Sequence, residues 1–265
     1  MIKVETQGRV GVLTFTRPRV LNALNQQLIG ETTAAMSAFT ADPNILVIIV
    51  RGEGRAFSAG FDMKESAKRD LSRIEDRLAS VRHNFDFIMQ FWDCPKPTIA
   101  AVHGFCLAGA FEVALACDLT VAAEGTRFGE PEVRFGAGIV ALLLPWMTTP
   151  KIAKELLLTG NDEIDAQRAF DMGIVNHVVP AGQEFDKAMA LAGNIVAAAP
   201  LSVQLTKRAI NRGYETTGMR QALLAALDLD MVIGMAGGPE RAEFNRIRDE
   251  QGLKAALDWR DARFK

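Results

Sequence analysis

Histidine is scarce in this 265-residue chain: His83, His103 and His177 are the only three, and none is close to another in sequence, which excludes a histidine-rich metal site. Cysteine is equally sparse. Cys94, Cys106 and Cys117 are odd in number, sit among apolar residues and lack CxxC spacing, so they read as reduced core residues and not as a disulfide frame. An excess of one charge is missing too. Lys and Arg number 30 against 32 Asp and Glu, and the net charge of -2 leaves no electrostatic footprint for nucleic acid or an anionic membrane surface. No apolar run approaches the roughly 18 to 20 residues of a membrane span. The opening MIKVETQGRVGVLTF has no cationic stretch leading into an apolar signal core. These absences give the expectation of a cytoplasmic protein without nucleic-acid or membrane partners.

What is present is apolar residue in quantity, 49% of the chain, enough for a sizeable core. Val10 to Thr16 alternates and is β-branched, which predicts a strand, with Ile2 to Glu5 pairing across Gln7-Gly8. Asn25 is a candidate cap for a helix carrying Leu28, Thr32, Met36 and Phe39. Ile45 to Val50 is a continuous apolar run, as in a strand covered on both faces. Met63 to Asn84 is charged with mixed signs and reads as a solvated helix, followed by an apolar helix over Phe85 to Trp92. Further strands are expected at Thr98 to Val102, Asp118 to Ala123 and Ile174 to Val179. Helices are expected at Lys151 to Thr159 and at Asp165 to Met172, with Asp165 as cap. From Gln183 the pattern is helical throughout: Ala188 to Ala199, Ser202 to Arg212, Met219 to Ile233 and Pro239 to Asp249.

The stretch Pro97 to Glu132 carries the chemistry. Leu107 to Cys117 reads as a helix of Ala, Leu, Val and Phe in which Glu112 is the single charged residue. Burial favours the neutral form of a carboxyl, and an acid poised between two protonation states suits general acid/base work. The plainer reading is a glutamate paired with a buried arginine. Three residues earlier, Gly109 lies in the helix's first turn, where amides lack intrahelical partners and a missing Cβ lets an oxygen approach. The spacing Gly104-x4-Gly109 is that of a phosphate loop, but Ala110-Phe111 follow where Lys and Ser/Thr are needed, so it is not one. Two more acids, Glu130 and Glu132, flank Pro131. A Gly-rich loop, RGEGRAFSAGFDMKE, follows the Ile45 to Val50 strand, a common place for a ligand.

The segments KPTIAAVHGFCLAGAFEVALACD, FGEPEVRFG, AFSAGFD and LLLTGNDEIDAQRAFDMGIVNHVVP together resemble the enoyl-CoA hydratase/isomerase (crotonase) superfamily, over most of the chain to about Pro180. The resemblance implies an α/β crotonase-like spiral of β-β-α units over residues 1-195, with the active site. Residues 196-265 would form a helical trimerisation region, in a homotrimer or a hexamer made of two trimers. It implies an acyl-CoA thioester as substrate, coenzyme A being part of the substrate, with no separate cofactor and no metal. Glu112 and Glu132 fall on the catalytic positions, Glu132 being chosen over Glu130 because it directly follows the proline. Gly109 and Ala59 fall on the two oxyanion-hole positions, and Ala23, Ser58, Gly60, Phe61, Asp62 and Pro131 line the substrate. Met63, Leu71, Ile74 and Leu78 are candidates for contacts to the acyl tail, and Arg17, Arg19 and Arg55 for the CoA phosphates.

The activity this implies is syn addition of water to a trans-2-enoyl-CoA. One glutamate would ionise the water and the other protonate the α carbon. The chain departs from the hydratase pattern at Gly136 to Pro145, where a glycine-rich run gives way to GAGIVALLLP, and at Ala108-Gly109-Ala110. The alternatives are therefore a double-bond isomerase using Glu132 alone, another crotonase-type lyase, hydrolase or dehydratase, and a non-catalytic acyl-CoA binding subunit. A hydrolase triad of Ser58, His103 and an acid lacks its G-x-S-x-G context.

Overall fold

The computed structural model describes residues 1–264. Along the chain run β1 (Ile2–Gln7), β2 (Val10–Phe15), α1 (Gln26–Ala41), β3 (Val47–Gly52), α2 (Met63–Ser66), α3 (Ile74–Asp93), β4 (Thr98–Val102), β5 (Phe105–Leu107), α4 (Gly109–Ala116), β6 (Leu119–Ala123) and β7 (Arg127–Gly129). After a 3-10 turn at Glu132–Phe135 come α5 (Leu144–Met147), α6 (Pro150–Thr159), β8 (Ile164–Asp165), α7 (Ala166–Asp171), β9 (His177–Val179), α8 (Glu184–Ala197), α9 (Pro200–Thr216), α10 (Met219–Ala236), α11 (Pro239–Gln251) and α12 (Leu253–Ala262).

The described residues build a six-stranded sheet in the order β1-β2-β3-β4-β6-β9 and a small second sheet, β5-β7-β8. In the larger sheet β1 is antiparallel to β2, and every other pair is parallel. β2, β3 and β4 are covered on both faces, as the unbroken apolar run of β3 suggests, and β2, which reads as alternating, is buried at all six residues as well. Alternation divides them between two cores. Leu13, Phe15, Ile48, Val50, Ala100 and Val102 face α1, α3 and α4. Val10, Val12, Val47, Ile49, Ile99 and Ala101 face α8, whose Ala188 and Ala192 let the helix lie close on the sheet. A Cβ on Gly11 would stand 2.9 Å from the Phe39 ring, so that glycine is the seat on which α1 rests.

Asn25 and Asp165 cap α1 and α7 as expected, accepting from Leu28 N at 3.0 Å and Arg168 N at 2.7 Å. The charged stretch after Met63 breaks after α2, then continues unbroken from Ile74 through the apolar residues to Asp93. α12 was not anticipated in the sequence, because LKAALDWRDAR is highly charged and follows the helix stop at Gly252.

The later helices are fastened to the core. Lys207 of α9 is buried and donates to Asp118 Oδ2 at 2.7 Å, and Asp118 in turn accepts from Thr98 N and Oγ1. Met219, Leu223 and Leu227 of α10, at helical spacing, enter the main core. Phe244 of α11 stacks on Phe135 with ring centroids 5.0 Å apart. Buried Asp162 joins Arg134 at 3.1 Å to Arg260 of α12 at 3.3 Å. α11 and α12 thus close over the 3-10 turn that begins at Glu132.

Candidate active site

Two loops meet where β3 and β5 end. Ser58 N donates to Phe105 O and Leu107 N to Ser58 O, so the segment after β3 runs beside β5. Contact between the loops is close enough to require glycine on both sides. A Cβ on Gly60, at φ +87°, would lie 2.7 Å from Ala108 Cβ and 3.3 Å from Gly109 N; one on Gly109 would lie 2.3 Å from the Phe61 ring. Ala108 itself is held at φ 55°, a left-handed conformation that costs a non-glycine residue of order 1 kcal/mol or more. The result turns the chain abruptly from β5 into α4.

Among the described residues, the N-H groups of Phe61 and Gly109 have no acceptor. The Ala59 amide, expected to serve the oxyanion hole, is already engaged: it donates to Leu21 O at 2.9 Å. The free donor in that loop is two residues further on. The bridge between Leu24 and Phe61 explains the shift, since it uses Gly60 O and Asp62 N and leaves Phe61 N outside the ladder.

Glu112, one turn into α4, is 1% exposed. Its Oε2 accepts from Ala141 N at 2.7 Å and its Oε1 from Val140 N at 3.3 Å. These donors come from the segment where the sequence loses its glycine run. Burial pushes the Glu112 carboxyl well above the usual range, with the charges of Glu132 and then Asp230 adding to the rise and the two amides opposing it. The arginine partner of the plainer reading is absent among the described residues.

Glu132 opens the 3-10 turn and is 8% exposed, with Oε2 buried and unpartnered. Its carboxyl is pushed up to about 8, chiefly by burial, with Arg260 opposing the rise and Asp230 and Asp162 adding to it. Glu130, 2% exposed, has both carboxyl oxygens buried without a partner; burial first, then Glu112 and Glu132, holds it well above the ordinary range. Three acids therefore crowd one interior site, in which burial favours the neutral carboxyl of each.

The other expected residues divide. Phe61 and Gly60 lie at the junction itself, and Pro131 is buried between Glu130 and Glu132. Ser58 is fully buried and donates to Asn22 O at 2.9 Å, which removes it both from substrate contact and from a triad. His103 Nε2 instead meets Gly54 O at 2.9 Å. Asp62 caps α2 and pairs with Arg17 at 2.9 Å, and Ala23 O accepts from the same guanidinium, so Arg17 is turned inward. Ile74 and Leu78 are 60% and 45% exposed, while Arg77 between them points inward. Asp230 is the acid missed from the sequence. Its signal was present, as an acid three residues after Leu227 on the buried side of α10.

Residues 5–232 match the family model for enoyl-CoA hydratase/isomerase. Similar relatives include the crotonyl-CoA hydratase of Syntrophomonas wolfei, 33% identical with 99% of this chain and 97% of that protein covered. The short-chain-enoyl-CoA hydratase of Clostridium acetobutylicum is 36% identical over 80% of this chain and 81% of its own. Among solved structures, an enoyl-CoA hydratase/isomerase from Xanthobacter autotrophicus Py2 superposes with a TM-score of 0.97 at 49% identity, covering 100% of this chain and 98% of that one.

Proposed function

The chain belongs to the enoyl-CoA hydratase/isomerase family and has the crotonase fold, and from that premise we propose that it adds water across the double bond of a trans-2-enoyl-CoA thioester. The observation that carries this reading is the pair of buried carboxyls, Glu112 and Glu132, beside two unpartnered amides, Phe61 and Gly109.

The amides receive the thioester oxygen, where negative charge gathers as the β carbon is attacked. Water lies between the two glutamates. One carboxylate takes a proton as the water oxygen bonds to the β carbon, and the electron pair of the double bond moves toward the thioester oxygen. The other carboxyl delivers a proton to the α carbon, so that one water is consumed and both hydrogens are accounted for. Delivery of oxygen and hydrogen from one side gives syn addition. The high carboxyl pKa values suit this division, because one acid must be charged while its neighbour is neutral. Two acids and two amides supply the chemistry without a resident cofactor.

Leu205 and Ile210 of α9, with Leu229 and Val232 of α10, are exposed apolar residues that we read as the seam of a homotrimer or of a hexamer. The test of function is mass spectrometry of a short trans-2-enoyl-CoA with wild type, Glu112→Gln and Glu132→Gln. Gain of one water by wild type alone supports hydration. Shift of a 3-enoyl double bond that persists in Glu112→Gln identifies an isomerase working through Glu132.

A further inference from the structure

Beyond the glutamate pair lies a group of charges that water addition does not use. It is built over three glycines. A Cβ on Gly138 would stand 2.0 Å from Asp230 Oδ1, one on Gly234 would stand 2.7 Å from Arg77 Nη1, and one on Gly136 would stand 3.2 Å from Arg241 Cβ. Three elements distant in sequence, α3, α10 and α11, thus bring three charges together: Asp230 and Arg241 pack on the loop that follows Glu132, and Arg77 packs on α10 beside Asp230.

Two features mark this group as a receptor and not as a closed structural network. Arg77 Nε is buried without a hydrogen-bond partner. Among the described residues neither Arg77 nor Arg241 has an ion-pair partner within 4.0 Å, whereas Arg134 and Arg260 both reach Asp162. Two guanidiniums against one carboxylate leave the cluster cationic. Arg241 is pressed downward from its ordinary pKa by burial, then by Arg248 and Arg77, with Asp230 only partly opposing, as expected where two guanidiniums share one carboxylate.

The position follows from the same residues. The thioester oxygen belongs at Gly109 and the double bond at Glu112 and Glu132. The loop whose Val140 and Ala141 amides hold Glu112 leads back through Gly138 to Asp230. The charge of Asp230 is felt at both Glu112 and Glu132, so the arginine cluster borders the glutamate pair, where an acyl chain running past the double bond would meet it.

We infer that Arg77 and Arg241 bind a carboxylate at the far end of the acyl chain, so that the substrate class is the CoA monothioester of an unsaturated dicarboxylic acid. Guanidinium forks match a carboxylate bidentately, which fits arginine at both positions. This rests on the hydratase reading for the direction of the chain, and its test is chosen to be independent of turnover.

The test is calorimetric binding of saturated acyl-CoA thioesters, which cannot be hydrated, in matched pairs ending in a methyl or a carboxylate over a ladder of chain lengths. The expected result is that one carboxylate-ended length binds at least about tenfold tighter than its methyl partner. That ratio falls toward one in Arg77→Gln and in Arg241→Gln. A wild type that binds the methyl partner equally or better at every length overturns the inference, whether or not either variant folds. So does an equal loss for both members of each pair, which would assign the arginines to the CoA phosphates. Loss of hydration with the carboxylate preference intact would overturn the hydratase reading alone.

Discussion

The amide of Ala141 lies 2.7 Å from Glu112 Oε2, so a loop outside α4 fixes the direction of the one charged side chain in that helix. This contact makes an apolar-looking segment, Ile139 to Leu144, part of the candidate site through its backbone.

Glu112→Gln and Glu132→Gln are each expected to lower the hydration kcat by about a hundredfold or more, the usual scale for a positioned acid or base. Binding of a saturated acyl-CoA should survive both changes. Steady-state kinetics together with calorimetry separates the two effects.

Glu132 also makes a prediction about pH. Burial pushes its folded carboxyl up to about 8, above the unfolded value of about 4.3, so the folded state holds the extra proton between those limits and stability falls as pH rises through them. Urea unfolding of wild type should therefore lose on the order of a few kcal/mol from pH 5 to pH 9 at this site. Glu132→Gln should flatten that slope.

Gly109→Ala would drive a methyl into the Phe61 ring, from which a Cβ stands 2.3 Å. Displacing either amide of the pair should reduce kcat by about a hundredfold. The circular dichroism spectrum should remain that of wild type.

Lys207→Met would remove the ammonium that donates to Asp118 Oδ2 at 2.7 Å and leave that part-buried carboxylate with Thr98 alone. Losing a hydrogen bond to a charged group costs about 1.5 to 3 kcal/mol. Adding Asp118→Asn should recover part of the loss, which a double-mutant cycle reads directly.

Much of this molecule could be read from its residues. Alternation in Val10 to Phe15, the caps Asn25 and Asp165, and the isolated acid Glu112 all lead to what the fold contains, since each signal is local. The Ala59 amide could not be judged that way, because its acceptor, Leu21 O, is distant in sequence and belongs to a turn with Leu21 at φ 51°. Arg77 was hidden for another reason. Ile74 and Leu78 stood as candidates for contacts to the acyl tail, yet both are exposed, and the charged Arg77 between them is the residue that packs against Gly234 of α10.

Arg260 reaches Asp162 across 98 residues, and its charge is felt at Glu132. A ribosome makes Gly109, Glu112 and Glu132 long before it makes α12. During synthesis Glu132 therefore exists without the cation that opposes the rise of its pKa, and the last helix completes that electrostatic setting.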